Sequence, residues 1–374
     1  MTTAASGNKQ RARELGLAMP GETGHHNAIT DVPGVLVGYE TLNSHVDPAL
    51  QTGSLPVQTG VTAILPTGFD SRPRPIWAGQ HAFNGNGEMT GTHWIHDGGY
   101  FVGPILLTNT HAVGAAHQAS TQWIIRQYGD AWHHNHLWAM PVVAETYDGV
   151  LNDINGLHIK PEHALRAIEK AAAGAIAEGN VGGGAGMIAY EFKGGTGTAS
   201  RRIRVAGETY HIGALVQANH GIRPWLDVLG VPVGQHLTAD RIPAMHTERG
   251  SIICIIATDL PVFPHQLNKL ARRGTIGIGR GGTPGGNSSG DMFLAFSTAN
   301  DMDLPQLSGP WRQMECLNDE ILDPVYLAAV EAVEEAVLNA MLMAEDTPTA
   351  RPQGAVCRAI DPQQLLELVE RSPC

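Results

Sequence analysis

The sequence predicts an α+β fold in which sheet is covered by helices, on two observations. Short β-branched and apolar runs recur along the whole chain, whereas helical periodicity arrives in a few long blocks rather than after every strand. At 374 residues the chain is long enough to bury a sizeable core, as one large domain or two ordinary ones. Charged residues are only 16% of it and glycine occupies 45 positions, against roughly 25% and ~7% in an average soluble chain. So little solvated charge implies that neighbouring subunits cover part of the surface.

Taken in order, residues 1–26 are polar and glycine-containing and predict an arm or a disordered tail. Residues 29–42 (ITDVPGVLVGYETL) read as strand, Pro-Gly turn and strand, and Gly60 to Pro66 adds another strand. His81 to Thr90 predicts a turn-rich loop with Gly85 and Gly87 at φ > 0. Pro104 to Leu107 is a short apolar strand, and Thr110 to Gln127 a helix with Val113, Ala116, Ser120 and Ile124 along one side. If Pro141 to Tyr147 is a strand, Val143, Glu145 and Tyr147 share one of its faces.

Pro161 opens a helix where its missing N–H costs nothing, with Leu165, Ile168, Ala172 and Ala175 as its stripe and Gly179 as its stop. After the glycine-rich stretch 181–186 come a strand over Met187 to Phe192 and another over Gly213 to Asn219. Residues 233–249 lack an apolar period and predict an exposed loop. A buried strand runs from Ser251 to near Asp259, and Pro264 opens a helix that Gly274 stops. Thr275 to Gly279 then reads as a strand, the glycine-rich 280–290 as a loop, and Asp291 to Ser297 as a strand. Asp323 and Pro324 start a long helix carrying Tyr326, Val330, Val333, Val337 and Met341 on its core side. A linker over 345–354 leads to a short helix around Gln363 to Glu370.

Composition narrows the function classes. A formal net charge of −12 disfavours nucleic acid, which needs Lys and Arg against phosphate, and suits cationic ligands. Cys254, Cys316, Cys357 and Cys374 show no metal spacing and read as free thiols of a reducing compartment. With neither a leader pattern nor an apolar run near ~18 residues, the expectation is a cytoplasmic chain without a membrane partner.

Two common motifs fail in context. Gly277 to Gly282 matches G-x-G-x-x-G, but Pro284 and further glycines stand where a dinucleotide-binding helix should begin. Gly286-Asn287-Ser288-Ser289-Gly290 matches a nucleophile elbow, yet no histidine follows His265 to complete an α/β-hydrolase triad. His93 with His96, and His133, His134 and His136, lack the spacing of a zinc site, so no metal and no cofactor are expected.

The stretch from His246 to Asp259 is different. Ser251 follows Gly250 at the head of a buried strand, where a chain that cuts itself would place its cut. Such a cut makes Ser251 an N-terminal residue whose own α-amine can act as base. Gly-Ser is also ordinary loop punctuation, so the rest of the chain has to support the reading. Ser289 and Asp291 lie two apart at a strand entry, where a carboxylate can orient a hydroxyl. Glu145 and Tyr147 share that spacing and could hold an ammonium and a carbonyl oxygen, and Asn219 offers an amide donor of the oxyanion-hole kind. Taken singly, each is more readily explained as a polar residue at a strand end that caps or bonds backbone.

Together with residues 29–42, the segments NGNGEMTG (84–91), PILLTNT (104–110), VGGGAGMIAYEFKGGTGTASR (181–201), LVQAN (215–219) and the whole of 250–300 resemble the L-aminopeptidase D-Ala-esterase/amidase family, which includes β-peptidyl aminopeptidases. The resemblance runs from about Ala28 to Met343. It implies an α/β/β/α sandwich like that of N-terminal nucleophile hydrolases in its layers but different in connectivity. It also implies one hydrolase domain over 27–374 behind the arm, cut between Gly250 and Ser251 into a large chain (1–250) and a small chain (251–374). The family's nucleophile falls on Ser251, its assisting serine and acid on Ser289 and Asp291, its carbonyl-binding pair on Tyr147 and Asn219, and its amine-binding carboxylate on Glu145. Some β-peptidyl members carry Glu where this chain has Asp291, which leaves the choice among L, D and β residues open.

Substrates would be small peptides, amides or esters with a free amino terminus, attacked by the Ser251 Oγ with the Ile252 backbone N–H as a further oxyanion donor. The resemblance also implies a homotetramer of processed units. Two other readings stay open: a self-processed acyltransferase that passes the acyl group to an amine, and a non-enzymatic binder of small cations.

Overall fold

The computed structural model describes residues 9–242 and 247–371; His246, Pro243 and Cys374 lie outside the described residues. In chain order the first half carries helix α1 (Ala12–Leu15), strands β1 (Leu36–Asn43), β2 (Gln58–Leu65) and β3 (Ile76–Ala82), helix α2 (Thr92–Gly98), strands β4 (Tyr100–Phe101) and β5 (Ile105–Asn109), helices α3 (Val113–Gln127) and α4 (Gly129–His134), strand β6 (Val142–Thr146) and helix α5 (Pro161–Glu169). The second half carries the hairpin β7 (Ile188–Ala189) and β8 (Phe192–Lys193), long strands β9 (Gly195–Val205) and β10 (Glu208–Asn219), then β11 (Ser251–Thr258), α6 (Pro264–Arg280), β12 (Gly290–Ser297) and α7 (Asp323–Leu342). The small pair β13 (Thr347–Pro348) and β14 (Val356–Cys357) and helix α8 (Pro362–Arg371) complete it.

Two sheets stack face to face between two helical layers. One sheet has the order β1-β2-β5-β6, the other β4-β3-β12-β11-β10-β9. Strand alternation sets which core each residue joins. In β11, Ile253, Ile255 and Ala257 pack between the sheets with Ile64, Leu107 and Ala144, while Ile252, Cys254 and Ile256 pack outward among residues of α6 and α7. The first sheet's outer face, with Ala63, Leu106 and Val143, meets Ala116 and Trp123 of α3 and Ala167 of α5. The layers therefore run α, β, β, α. β11 and β12 are parallel, so the chain must cross over between them, and α6 is that crossover.

Several local expectations are corrected. Residues 29–31 form a 3₁₀ turn rather than a strand, because the Ile29 N–H is taken by Thr198 Oγ1 and the Asp31 carboxylate accepts from the N–H groups of His26 and Ala28. Gly85 and Gly87 are not among the glycines at positive φ; a Cβ on Gly87 would instead meet Glu145 Oε1 at 3.2 Å. The helix from Pro161 stops at Glu169 rather than reaching Gly179, since Ala172 exchanges two backbone hydrogen bonds with Val37 of β1. Residues 187–192 are not one strand but the β7–β8 hairpin, turned by Tyr190 and Glu191 at positive φ. Asp323 is the first helical residue of α7, with Leu322 as its N-cap. The loop before Ser251 is only partly exposed, with Val233, Leu237 and Ile242 buried.

The largest correction is α6, which continues through Gly274 and absorbs 275–279 as helix. Gly274 and Gly277 are contact points, not stops. A Cβ there would lie 2.2 Å from the Phe293 ring and 2.7 Å from Val333, so the two glycines let α6 press against β12 and α7. The helix propensity they sacrifice, about 1 kcal/mol each, is offset by that approach.

The described part of the N-terminal segment is an ordered arm. Ala12, Leu15, Leu17 and Met19 are buried, Arg13 pairs with Glu335 at 3.0 Å, and the Ala12 N–H donates to Asn339 Oδ1. Arg201 of β9, almost wholly buried, pairs with Glu335 at 2.7 Å and Glu331 at 3.3 Å. These ties join residues on both sides of the Gly250–Ser251 bond, as do the β10–β11 and β12–β3 pairings. A chain cut at that bond would stay assembled.

Candidate active site

Ser251 opens β11, and strand pairing fixes its neighbours on both sides. It stands opposite Asn219, the last residue of antiparallel β10, and beside Gly290, the first residue of parallel β12. One step further, Asp291 lies level with Ile252. Ser251 is buried, with 5% of its surface exposed. The Ser289 hydroxyl donates to Asp291 Oδ1 at 2.6 Å, and Asn84 donates to Oδ2 at 3.4 Å. The strand-end spacing that suggested Ser289 and Asp291 thus does bring them together next to Ser251.

Asn219 is held in one orientation. Its Oδ1 accepts the Ile188 N–H of the β7–β8 hairpin at 2.8 Å, and its Nδ2 donates to the Tyr147 carbonyl at 3.1 Å. An amide nitrogen has two hydrogens, so one remains for a substrate oxygen. Tyr147, just past the end of β6, is 42% exposed and folds over Gly149. With Asn219, Gly250 and Arg351 it lines a cavity of about 240 Å³. Glu145, two residues before Tyr147, is buried. Its Oε1 accepts the Glu88 N–H at 2.9 Å and its Oε2 accepts the Thr110 hydroxyl. The Ile252 N–H lies near enough to the Asp291 carboxylate to help hold its pKa down.

Burial governs the acids. It raises the Asp291 carboxyl to about 6, assisted by the charge of Glu248 and opposed by the hydrogen bonds from Ser289, Asn84 and Ile252. Burial likewise raises Glu145, against the Thr110 and Glu88 hydrogen bonds. A carboxyl raised on folding favours the native state most when protonated. Its contribution is full below the unfolded value near 4 and is lost as pH rises through about 6, a cost of roughly 3 kcal/mol for Asp291. A catalytic role behind Ser289 would have the opposite sign, because the ionised carboxylate is the stronger acceptor for the Ser289 proton. Turnover measured against pH should therefore fall on the acid side as the α-amine of a freed Ser251 is protonated and then more steeply below about 6, and Asp291→Asn should remove the steeper part together with most of the rate. A flat profile down to pH 5 would contradict the assignment.

Three supports escaped the sequence reading. Asn84 holds Asp291, Thr110 holds Glu145, and the Glu248 carboxylate accepts the N–H of Gly221 at 2.6 Å and that of Gly286 at 3.1 Å. Gly250 is also constrained. Its carbonyl accepts the Gly290 N–H at 3.3 Å, and a Cβ on it would fall 1.8 Å from the Asn219 carbonyl oxygen. His93 and His96 sit on α2 and His133 and His134 on α4; among the described residues no three His, Cys, Asp or Glu gather as a metal-holding group.

Comparison with known proteins places this geometry among relatives. Residues 27–354 match the profile described as peptidase family S58. The chain is 49% identical over 361 residues to β-peptidyl aminopeptidase BapA of Sphingosinicella microcystinivorans, covering 92% of this chain and 88% of that one. The structure of the L-aminopeptidase D-Ala-esterase/amidase from Ochrobactrum anthropi, described as a prototype for the serine aminopeptidases and a new variant among the Ntn hydrolase fold, is similar with a TM-score of 0.92. It shares 53% identity and covers 96% of this chain and 98% of that one. A Burkholderia sp. β-aminopeptidase is similar with a TM-score of 0.86 and 42% identity, over 96% of this chain and 98% of that one.

Proposed function

The chain belongs to peptidase family S58 and is a self-processing serine aminopeptidase, and on that premise we propose that Ser251 is its nucleophile, freed by a cut between Gly250 and Ser251. The observation that carries the proposal is the register: Ser251 is flanked by Asn219 on one strand and by Gly290 and Asp291 on the other, with the Ser289–Asp291 hydrogen bond alongside.

In the mature enzyme the Ser251 Oγ attacks the carbonyl of the substrate's first residue and its proton passes to the Ser251 α-amine, whose reference pKa is about 7.7 to 8.0. Ser289 orients or relays that proton with Asp291 behind it, because an unperturbed hydroxyl is no base near neutral pH. The Tyr147 hydroxyl and the second Asn219 N–H stabilise the oxyanion. Each such donor is worth about 10² to 10³ in rate. The C–N or C–O bond breaks, the proton goes to the leaving group, and water then releases the first residue from the acyl-enzyme.

Glu145 takes the substrate ammonium. A Cβ on Gly87 would lie near both Glu145 Oε1 and the Gly290 Cα, which puts the carboxylate close to the nucleophile's neighbour. The leaving group then extends past Tyr147 and Asn219 into the cavity that Arg351 borders. A charge-assisted hydrogen bond to Glu145 is worth about 1.5 to 3 kcal/mol, and acetylating the substrate amine leaves that buried carboxylate without a counter-charge. Free-amine amides and esters should therefore be cleaved and their N-acetyl counterparts hardly at all. Glu145→Gln should lose most turnover of the former while still cutting itself, since the scissile Gly250 carries no free ammonium. Equal wild-type rates on matched free and acetylated amides would remove the basis for the Glu145 assignment.

We extend the proposal to a homotetramer, supported by the low charge content and by exposed Trp138, Met140 and Phe69. A monomer by light scattering at micromolar concentration would contradict it. The free Cys254, Cys316 and Cys357 fit a reducing cytoplasm, which cell fractionation checks.

A further inference from the structure

We propose that Glu248 is a positioning residue for self-cleavage, a clamp that holds the segment ahead of the cut across the ends of three strands so that the Gly250 carbonyl is presented to Ser251. The proposal rests on the self-cleavage reading above and names the device that makes the cut efficient.

The two oxygens of Glu248 reach backbone donors on opposite sides of β11. One accepts the N–H of Gly221, two residues beyond the end of β10; the other accepts the N–H of Gly286, four residues before β12. Two residues on, the Gly250 carbonyl accepts the N–H of Gly290 at the head of β12. The segment is thus tied at two points just before the scissile bond. Both anchors are shaped for it: Gly221 sits at φ +82°, and a Cβ on Gly286 would lie 2.3 Å from Glu248 Oε2. Hydrogen bonds from N–H groups to an ionised carboxylate are of the stronger kind and fix direction as well as distance. Displacing a reacting group by about 1 Å can cost about 10²-fold in rate.

The same carboxylate is the charged neighbour of Asp291, whose other close partners are Ser289, Asn84 and the Ile252 N–H. Charge at position 248 therefore enters the cleavage chemistry through the acid behind Ser289. A purely structural tether would leave no such trace.

The test follows the precursor by intact mass after rapid purification, for wild type, Glu248→Ala and Glu248→Gln, at several pH values. Glu248→Ala should lengthen the precursor half-life roughly tenfold to a hundredfold. Glu248→Gln keeps one acceptor and presents an amide nitrogen to the other donor, so it should be intermediate. Its acid limb should also move to lower pH, because Asp291 has lost a negative neighbour. If the alanine variant does not fold, the near-isosteric glutamine variant decides alone. Wild-type half-life and an unshifted limb in these variants, with wild type cut at Gly250–Ser251, would overturn the clamp and leave the self-cleavage reading intact. A wild-type cut at a different bond would bring down both.

Discussion

Ser251→Ala is expected to yield one uncut chain spanning 1–374 with no aminopeptidase turnover. One oxygen serves two reactions: it attacks the Gly250 carbonyl in the precursor and the substrate carbonyl afterwards. Removing it takes away both, and the second loss would follow from the first, because without the cut there is no α-amine to act as base. Deleting the nucleophile of a serine hydrolase costs about 10⁶-fold in kcat. The fold should survive, since Ser251 contributes a small side chain at a strand end while Ile252 to Thr258 supply the packing of β11. An alanine variant that still separated into two chains at this bond would show that another group does the cutting.

The second large effect should come from Gly250→Ala, a change of one methyl group. Its Cβ would overlap the Asn219 carbonyl oxygen, 1.8 Å away, and neither partner can yield cheaply. The obstacle is backbone at the end of β10, and moving it would drag the Asn219 amide away from the position that Ile188 and Tyr147 hold. The scissile carbonyl should therefore be pushed off the Gly290 N–H and self-cleavage slowed by at least about 10²-fold. The measurement is the precursor fraction over time on a denaturing gel. Processing at the wild-type rate would mean that the uncut segment has a different path through the site.

What could be read from the sequence was what local pattern determines. The apolar run of β11, the carboxylate two residues from Ser289 and the amide closing β10 are properties of a few adjacent residues, and the folded chain brings them together at adjacent strand ends. Glycine was where the reading failed. Gly274 resembles a helix stop until Phe293 is seen to occupy the space its side chain would need, and Gly250 resembles a loop residue until Asn219 is seen against it. Ala172 fits a helical stripe yet is claimed by Val37 in a different element. Glu248 stood in the polar segment before the cut with nothing to mark it, because its partners are backbone N–H groups 27 and 38 residues away. Carboxylates that bind backbone leave no companion residue type in the sequence.

The central claim is that this chain makes its own N-terminal nucleophile at Ser251. Intact mass of the purified protein, with N-terminal sequencing of the smaller species, tests it most directly. The expected result is two chains, one ending at Gly250 and one beginning Ser-Ile-Ile-Cys. A fully active preparation consisting of a single 374-residue chain would contradict it.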